Sequence, residues 1–338
     1  MTPTTNAVTP ESQEAPLVVR PDVENWTENY CNQAYFPDSQ IGIWTHLSHM
    51  PGPMDLWRDL WIAYLPGDRF LVAKGFGRGA TDRGPGAGML SLRFEEPFQR
   101  WTMTFSGGVR EVTGEQLRAG AVDDGLNTFV ELDLTWEASS PVFDFGQWMG
   151  GQGWASAHYE QSNRVSGRIA IGGERTELAG GTGIRDHSRG PRTHTSIRAH
   201  WWLTGQFPSG KSFALLELDN YVTEGGPLLK HALISDGKTV QLAEVVSVEM
   251  LEATEQRGPR RHRTTLRVDT GEEHVIEARV LQEMPFALGD PNEMILGAAF
   301  TPDASLALFE SQTEYSWDGE IGYGLTERSQ STDHFVRR

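Results

Sequence analysis

Residues 155–192, ASAHYEQSNRVSGRIAIGGERTELAGGTGIRDHSRGPR, decide how the rest of this chain is interpreted. The first part alternates as a β-strand does, which places His158 and Glu160 on one face and Tyr159 and Gln161 on the other. The middle part, RVSGRIAIGG, has the pattern of a second strand that ends in a Gly-Gly turn. The segment therefore predicts consecutive strands whose side chains are sorted onto two faces.

The last part of this segment, GGTGIRDHSRGPR, combines charged side chains with glycines that permit sharp backbone paths. An acid, an imidazole and three guanidinium groups within a few residues are unusual for a surface loop. Such a group is either a structural hydrogen-bond knot, as Arg–Asp pairs often are, or a reactive site, and the residue types leave both open. The polar members are Arg185, Asp186, His187, Ser188, Arg189 and Arg192.

The motifs HYEQ, VSG and GxGxRDHSxGPR resemble the pattern of the AttH-like superfamily, and the similarity extends from about Trp26 to Ser331. This superfamily contains the carotenoid 1,2-hydratases, also called hydroxyneurosporene synthases, and lipocalin-like cyclases that use no cofactor. The resemblance is to its bacterial two-domain members, and it implies a ligand held in a barrel mouth or between the domains. The motif usually carries Trp after RDHS, where this chain has Arg189.

Composition describes an acidic chain of 338 residues with a formal net charge of −17 and a pI near 5.0. Nucleic-acid binding and docking on anionic membranes both need clustered basic residues, so both are disfavoured. The single cysteine, Cys31, excludes an intramolecular disulfide, and the N-terminus lacks the features of a signal peptide. We expect a cytoplasmic protein without an integral membrane segment, and an assembly of identical chains stays open.

Alternation with period two and recurring turn signals run along nearly the whole chain, as in antiparallel sandwiches and barrels. We predict an all-β fold of two lipocalin-like antiparallel β-barrel or sandwich domains packed side by side. The predicted bounds are a disordered leader over residues 1–20, an N-terminal domain over 21–178 and a C-terminal domain over 179–338. Residues 113–125 have moderate helical character, and residues 25–38 are compatible with a short helix or a turn.

Glycine-rich stretches and histidines raise the alternatives of nucleotide and metal binding. Residues 75–84 and 180–190 lack GxxxxGK[ST] and are explained by turns, so no nucleotide cofactor is expected. The chain has neither HExxH nor a paired-cysteine site. His158 and Glu160 could join His187 or Asp186 around a metal in principle, but the resemblance suggests none. We therefore expect chemistry without a metal or a cofactor.

Acid–base chemistry fits these residue types best. Burial in an apolar cavity raises the pKa of a carboxylic acid, which then stays protonated near neutral pH and can protonate an alkene. Water quenches the carbocation to give an alcohol, and the reverse sequence is dehydration. We assign the proton donor to Asp186, unless a salt bridge to a neighbouring arginine lowers its pKa. The imidazole of His187 or His158 would position the water or take up a proton, and Glu160 would orient that imidazole. The catalytic candidates are Asp186, His187, His158, Glu160 and Tyr159.

Aromatic side chains supply candidate walls that stabilise a carbocation. Adjacent strand residues face opposite ways, so at most one of Trp201 and Trp202 is expected to line a pocket. At the C-terminus, EYSWDGEIGYGLTERS has the pattern of a closing strand, and its Glu327 and Arg328 are further candidates for the site. The predicted substrate-binding residues are Trp44, His46, Arg185, Arg189, Trp201 and Trp202.

Three functions remain open. The first is a hydratase or dehydratase that acts on a small hydrophobic substrate, an isoprenoid-like alkene or alcohol. The second is a cofactor-free cyclase or isomerase, and the third is a non-enzymatic carrier of hydrophobic metabolites. The first is preferred because the titratable groups of the motif would be costly to bury in a mere carrier.

Overall fold

Antiparallel β-strands form nearly all of the structure, which is a computed structural model. It describes residues 13–17, 19–50, 55–148, 155–192, 197–220, 229–254, 258–289, 293–297 and 306–331. The predicted all-β fold, two lipocalin-like barrels side by side, is confirmed. One α-helix, α1 (Gly114–Arg118), begins at a capping box on Thr113, within the stretch predicted to have helical character.

The first barrel is built from the N-terminal half of the chain. Its strands are β1 (Trp26–Phe36), β2 (Ile41–His49), β3 (Trp57–Leu65), β4 (Arg69–Gly77), β5 (Leu90–Glu96), β6 (Arg100–Thr113), β7 (Leu126–Ala138), β8 (Phe143–Asp144), β9 (Ala157–Ile171) and β10 (Glu174–Pro191). Eight of them follow one another around a ring in the order β10, β1, β2, β3, β4, β6, β7 and β9. Pairing of β9 with β10 closes that ring.

The second barrel repeats this design. Its strands are β11 (Ile197–Gln206), β12 (Ser212–Asn220), β13 (Leu229–Ser235), β14 (Val240–Ala253), β15 (Pro259–Val268), β16 (Glu273–Gly289), β17 (Glu293–Leu296), β18 (Leu306–Trp317) and β19 (Glu320–Ser331). The ring runs β15, β14, β13, β12, β11, β19, β18 and β16. It closes where β15 pairs with β16.

Strands β1, β2 and β3 form a wall that is buried on both faces, because one face lines the first barrel and the other packs against the second. Inside the first barrel, the rings of Trp61 and Phe105 stack with centroids 4.4 Å apart. Between the barrels, the rings of Trp44 and of Phe286 from the second barrel pack with their centroids 5.2 Å apart. The two barrels therefore share a third apolar core, separate from the core inside each barrel.

Two expectations about local structure need correction. Residues 25–38 form a strand over most of their length, since β1 spans Trp26–Phe36 and only the ends of the stretch are turns. Both faces of β1 are buried and both carry polar residues, so the alternation that identifies a strand is absent. The cluster GIRDHSRGP lies in β10 rather than in a loop. The turn before β10 was predicted correctly: Gly172 and Gly173 both adopt positive φ, at 59° and 93°, which glycine tolerates best.

The predicted boundary between residues 178 and 179 falls inside β10. This strand pairs with both β9 and β1, and it is the strand through which the first ring closes. The first barrel therefore extends to Pro191, and the second begins with β11 at Ile197.

The predicted disordered leader differs from the structure over residues 13–17. Glu14 is fully buried, and its carboxylate pairs with Arg185 of β10. A buried ion pair holds this stretch against the first barrel, which charge and composition alone did not reveal. Residues 1–12 of the leader lie outside the described residues.

Candidate functional site

Strand β10 is shared by two chambers, because its alternate side chains point to opposite faces. Arg185, His187 and Arg189 lie inside the first barrel, where His187 stacks on Tyr30 with ring centroids 3.9 Å apart. Asp186 points the other way and lines a pocket between the barrels. The residues of RDHSR therefore belong to two different sites, although they lie on one strand.

The interbarrel pocket is a cavity of about 60 Å³ with walls from both barrels. Its apolar wall comes from the second barrel and includes Leu288, Met294 and Leu308. Its polar and aromatic lining includes Asp186, Cys31, His46, Trp202, Glu310 and Glu327. A cavity this size has room for a few water molecules and has the polar partners that hold them.

Asp186 is positioned by the first barrel's wall. Its Oδ1 accepts a hydrogen bond from the backbone N–H of Cys31, the residue opposite it on β1, at 2.9 Å. Its Oδ2 lies 3.6 Å from Nδ1 of His158. Burial raises the pKa of Asp186 to about 7, even though His158 and the Cys31 N–H act in the opposite direction. The carboxyl group is therefore half protonated near neutral pH.

His158 and Glu160 stand behind Asp186 on β9, which pairs with β10. The Nε2 atom of His158 lies 2.8 Å from Oε1 of Glu160, and both side chains are fully buried. Burial lowers the pKa of His158. Burial raises the pKa of Glu160 to about 8, opposed by a hydrogen bond from the Trp202 side chain. The pair is therefore uncharged near neutral pH, with the imidazole between two carboxyl groups.

A second acid pair faces Asp186 from the second barrel. Burial, and next the charge of Glu327, raise the pKa of Glu310 well above its usual range, which favours the protonated form of Glu310. Burial also acts on Glu327, but His200, whose Nδ1 lies 3.0 Å away, and a hydrogen bond from Glu310 lower its pKa. The pocket thus places a protonated carboxyl group and a carboxylate side by side.

The opposite face of the wall carries a separate polar cluster inside the first barrel. Oε1 of Glu28 lies 2.8 Å from Nε2 of His187 and accepts a hydrogen bond from Nε of Arg189, also 2.8 Å long. Burial lowers the pKa of His187 to about 4, so the imidazole is neutral and its Nδ1 lies 3.2 Å from the Tyr159 hydroxyl. We call Glu28, Tyr30, Tyr159, Arg185, His187 and Arg189 the barrel-side cluster.

The structure separates the residues predicted for one site into three groups. The interbarrel face carries Asp186, His158, Glu160, Trp44, His46 and Trp202. The barrel-side cluster carries His187, Tyr159, Arg185 and Arg189. Trp201 lies in the core of the second barrel, so only Trp202 of that pair reaches the pocket, as the alternation predicted.

Sequence reasoning missed Glu310, Glu28 and Glu14 as functional candidates. Glu310 lies in LFESQTEYSW, where the period of a strand predicts a face but not what that face meets. The structure shows this charged residue within an unbroken run of buried positions, but burial is not visible in the sequence. Glu327, by contrast, was considered from its place after GYG, and it does line the pocket.

Within the described ranges, no group of three or more His, Cys, Asp or Glu side chains is arranged to hold a metal ion. Over the same residues, no helix has the length and apolar character needed to cross a membrane.

Two closed antiparallel barrels with a polar pocket between them define a lipocalin-like two-barrel protein. The chain belongs to the family described as Domain of unknown function (DUF7064), whose sequence profile matches residues 11–332. No functionally curated protein matches the sequence.

Solved structures with the same fold include an AttH-like protein of Nitrosomonas europaea, with 13% sequence identity and a TM-score of 0.60 over 91% of this chain and 92% of that one. Kievitone hydratase of Nectria haematococca has 11% identity and a TM-score of 0.58, over 98% and 95%. CghA has 12% identity and a TM-score of 0.55, over 95% and 96%. These similarities confirm the resemblance to the AttH-like superfamily at the level of the fold.

Proposed function

We propose that the protein is a cofactor-independent hydratase or dehydratase, that its reaction takes place in the interbarrel pocket, and that Asp186 is the proton donor. The observation that supports this most is the Asp186 carboxyl group itself. It lines the interbarrel pocket, has a pKa of about 7, and has no salt bridge to Arg185, whose side chain lies on the other face of β10. General acids work best with a pKa near the working pH.

In the hydration direction, Asp186 transfers its proton to one carbon of an alkene, and the positive charge develops on the other carbon. Trp202 and His46 line the pocket, and an aromatic ring face turned towards the cationic carbon stabilises its charge. Water adds to the cationic carbon while the Glu327 carboxylate, across the pocket, accepts its proton. The N–H of Cys31 stabilises the Asp186 carboxylate that remains. Dehydration is the same sequence in reverse.

The size of the pocket defines what part of a substrate reacts there. A cavity of about 60 Å³ is small beside the roughly 300–1,000 Å³ of typical ligand sites. We infer that only the reacting end of the substrate enters, between the acids and the apolar wall of Leu288 and Leu308. This argues against a carrier, which must enclose its whole cargo. The isoprenoid-like character of the substrate and a cytoplasmic location are part of the proposal.

A cyclase or isomerase is the second candidate. Two carboxyl groups with raised pKa values, Asp186 and Glu310, lie in one pocket and support this candidate. In their protonated forms they can donate hydrogen bonds that polarise a substrate without releasing a proton. The fold is shared with a protein named kievitone hydratase at only 11% identity, and a fold by itself does not choose between the two reactions.

The test is to incubate the protein without added cofactor in oxygen-18 water with isoprenoid alkenes and alcohols, followed by mass spectrometry. Label gain or loss of water is expected, and Asp186→Asn should reduce the rate by about 100-fold or more because the amide cannot donate a proton to carbon. The matched control is Asp133→Asn, at an exposed salt bridge to Arg168, which should keep the full rate.

Each other outcome decides against the proposal. A product of unchanged mass would identify a cyclase or isomerase. If Asp186→Asn still took up label at the wild-type rate, another residue of the pocket would be the proton donor, and Glu310 would be tested next.

A further inference from the structure

The interior of the first barrel holds a carboxylate that does not come from the barrel. Glu14, upstream of β1, is fully buried, and its Oε1 accepts a hydrogen bond of 2.7 Å from Nη1 of Arg185. The Arg185 guanidinium lies 4.8 Å from the ring centroid of Trp101 and 5.6 Å from that of Tyr159. Its other edge donates to the side-chain oxygen of Gln161. This is a cation fixed in an aromatic cage, with one N–H edge directed at Glu14.

The barrel also binds the second carboxylate oxygen and the backbone beside it. Oε2 of Glu14 accepts a hydrogen bond of 3.2 Å from the N–H of Phe98. The hydroxyl of Tyr30 donates to the backbone carbonyl of Glu14 at 3.1 Å. Arg189 donates to the carbonyls on either side, those of Gln13 and Ala15. In each of these contacts the barrel supplies the donor, so residues 13–15 are held as a ligand would be held.

The charges near the cage assign Arg185 to Glu14 alone. The other acid of the barrel-side cluster, Glu28, already accepts from Arg189, His187 and the N–H of Leu17. Without Glu14, the Arg185 guanidinium would be a buried cation whose charge no carboxylate balances, a costly state. The cage therefore needs an anion of planar, two-oxygen geometry.

We propose that Arg185, the N–H of Phe98 and their aromatic surroundings form a binding site for a short organic monocarboxylate, and that Glu14 occupies it as an internal ligand. Residues 13–17 then act as a removable plug of the first barrel. This site is separate from the interbarrel pocket and does not depend on the reaction proposed there. The Glu14 atoms beyond Cβ have the size and charge of acetate, so acetate is the probe that fits the space they leave.

The test is chemical rescue of the full-length variant Glu14→Ala. Its melting temperature is measured in about 100 mM sodium acetate, in sodium chloride of equal ionic strength, and in chloride with acetamide. Acetate should raise the melting temperature by about 3 °C or more over chloride, and acetamide should not, because Arg185 requires a negative charge. The wild type and Glu14→Gln, in which the space stays filled, should show no acetate-specific rise.

Several results would overturn the proposal: no acetate-specific rise in Glu14→Ala, an equal rise with acetamide, or an equal rise in Glu14→Gln. If Glu14→Ala is recovered unfolded, it is refolded from urea into acetate or acetamide. Folded protein obtained with acetate alone supports the site, and failure with both rejects it. Carbon-13 NMR of labelled acetate with the folded variant then detects bound ligand directly, and wild type supplies the blank.

Discussion

At the scale of single residues, the decisive contrast is between Asp186 and His187, which are neighbours in the chain but lie in different chambers. Burial raises the pKa of the acid to about 7 and lowers the pKa of the imidazole to about 4, so near neutral pH the acid is half protonated and the imidazole is neutral. A neutral acid can donate a proton into the pocket. A neutral histidine between Glu28 and Tyr159 is a hydrogen-bonding part of the barrel interior.

The raised pKa of Asp186 predicts how stability depends on pH. Below about pH 4 the carboxyl group is protonated in both states, and it adds no pH dependence. Between about pH 4 and 7 the unfolded chain ionises while the folded state keeps its proton, so the folded state loses stability as the pH rises. Above about pH 7 the loss is complete. Asp186→Asn should therefore gain stability over the wild type across this window, by an amount on the order of 3 kcal/mol.

Urea unfolding of both proteins at several pH values measures this difference. The other buried acids titrate in both proteins, so they largely cancel in the comparison. For Asp133→Asn, whose side chain is exposed, the difference from wild type should stay within about 0.5 kcal/mol and show no trend over the same range. A gain that is flat with pH would show that Asp186 ionises normally in the folded protein, and a gain largest in acid would show that its pKa is lowered there.

At the scale of single elements, strand β10 explains why one motif contributes to two sites. Its interbarrel face carries Asp186, and its barrel face carries Arg185 and His187, each fixed by partners on β1 or β9. A residue on the barrel face can affect the pocket only through the strand. Substitutions there should change stability first and chemistry second.

This separation predicts that substitutions of two histidines, one on β10 and one on the neighbouring β9, change different properties: stability for one and turnover for the other. His187→Ala removes the stacking on Tyr30 and leaves buried Glu28 with fewer donors, so the free energy of unfolding should fall by about 2–4 kcal/mol. Turnover per folded molecule should stay within about threefold of wild type. His158→Ala, on the interbarrel face beside Asp186, should lower turnover at least tenfold.

The two effects are separated by urea unfolding and by single-turnover rates in the labelled-water assay. If His187→Ala lowered turnover as much as His158→Ala, His187 would have the water-positioning role that the sequence allowed, and the two chambers would be functionally one.

The element scale also shows what the sequence could predict. Period-two alternation sorted His158 and Glu160 from Tyr159 and Gln161 correctly, because the faces of a strand are a local property. It could not say which chamber each face meets, since that depends on strands far away in the chain. The glycines, the proline and the charged residues of β10 are typical of a loop, so the sequence indicated a loop there. Composition cannot distinguish the two cases, because a buried ion pair uses the same residue types as an exposed one.

At the scale of the whole molecule, the sequence predicted two barrels but not how closely they are joined. Strand β1 could not be recognised because both of its faces are buried and both carry polar residues, which removes the polar–apolar alternation. The burial of its second face is the interface between the barrels. Across it, Nε2 of Gln33 donates to the carbonyl of Gly324 at 3.0 Å and to the side chain of Gln312. The Tyr64 hydroxyl donates to the carbonyl of Glu310 at 3.2 Å. The interface is therefore an apolar core that contains specific hydrogen bonds.

A shared core of this kind predicts that the barrels unfold together. Phe286→Ala, in the second barrel, removes the contact with Trp44 and should lower the free energy of unfolding of the whole protein by about 3–5 kcal/mol. Phe105→Ala, inside the first barrel, is the matched control, and it should lower the same single transition. Hydrogen exchange of peptides from each barrel locates the effect.

Both variants should therefore speed exchange equally in β2 and in β12, since either cavity destabilises one cooperative unit. If Phe105→Ala changed exchange in the first barrel only, the barrels would be independent domains that merely touch, and urea unfolding would show two transitions. The pocket would then lie between parts free to separate. Joint unfolding instead means that Asp186 and Glu327 are held opposite each other by the core that surrounds them, which is the preorganisation that proton transfer to a carbon atom requires.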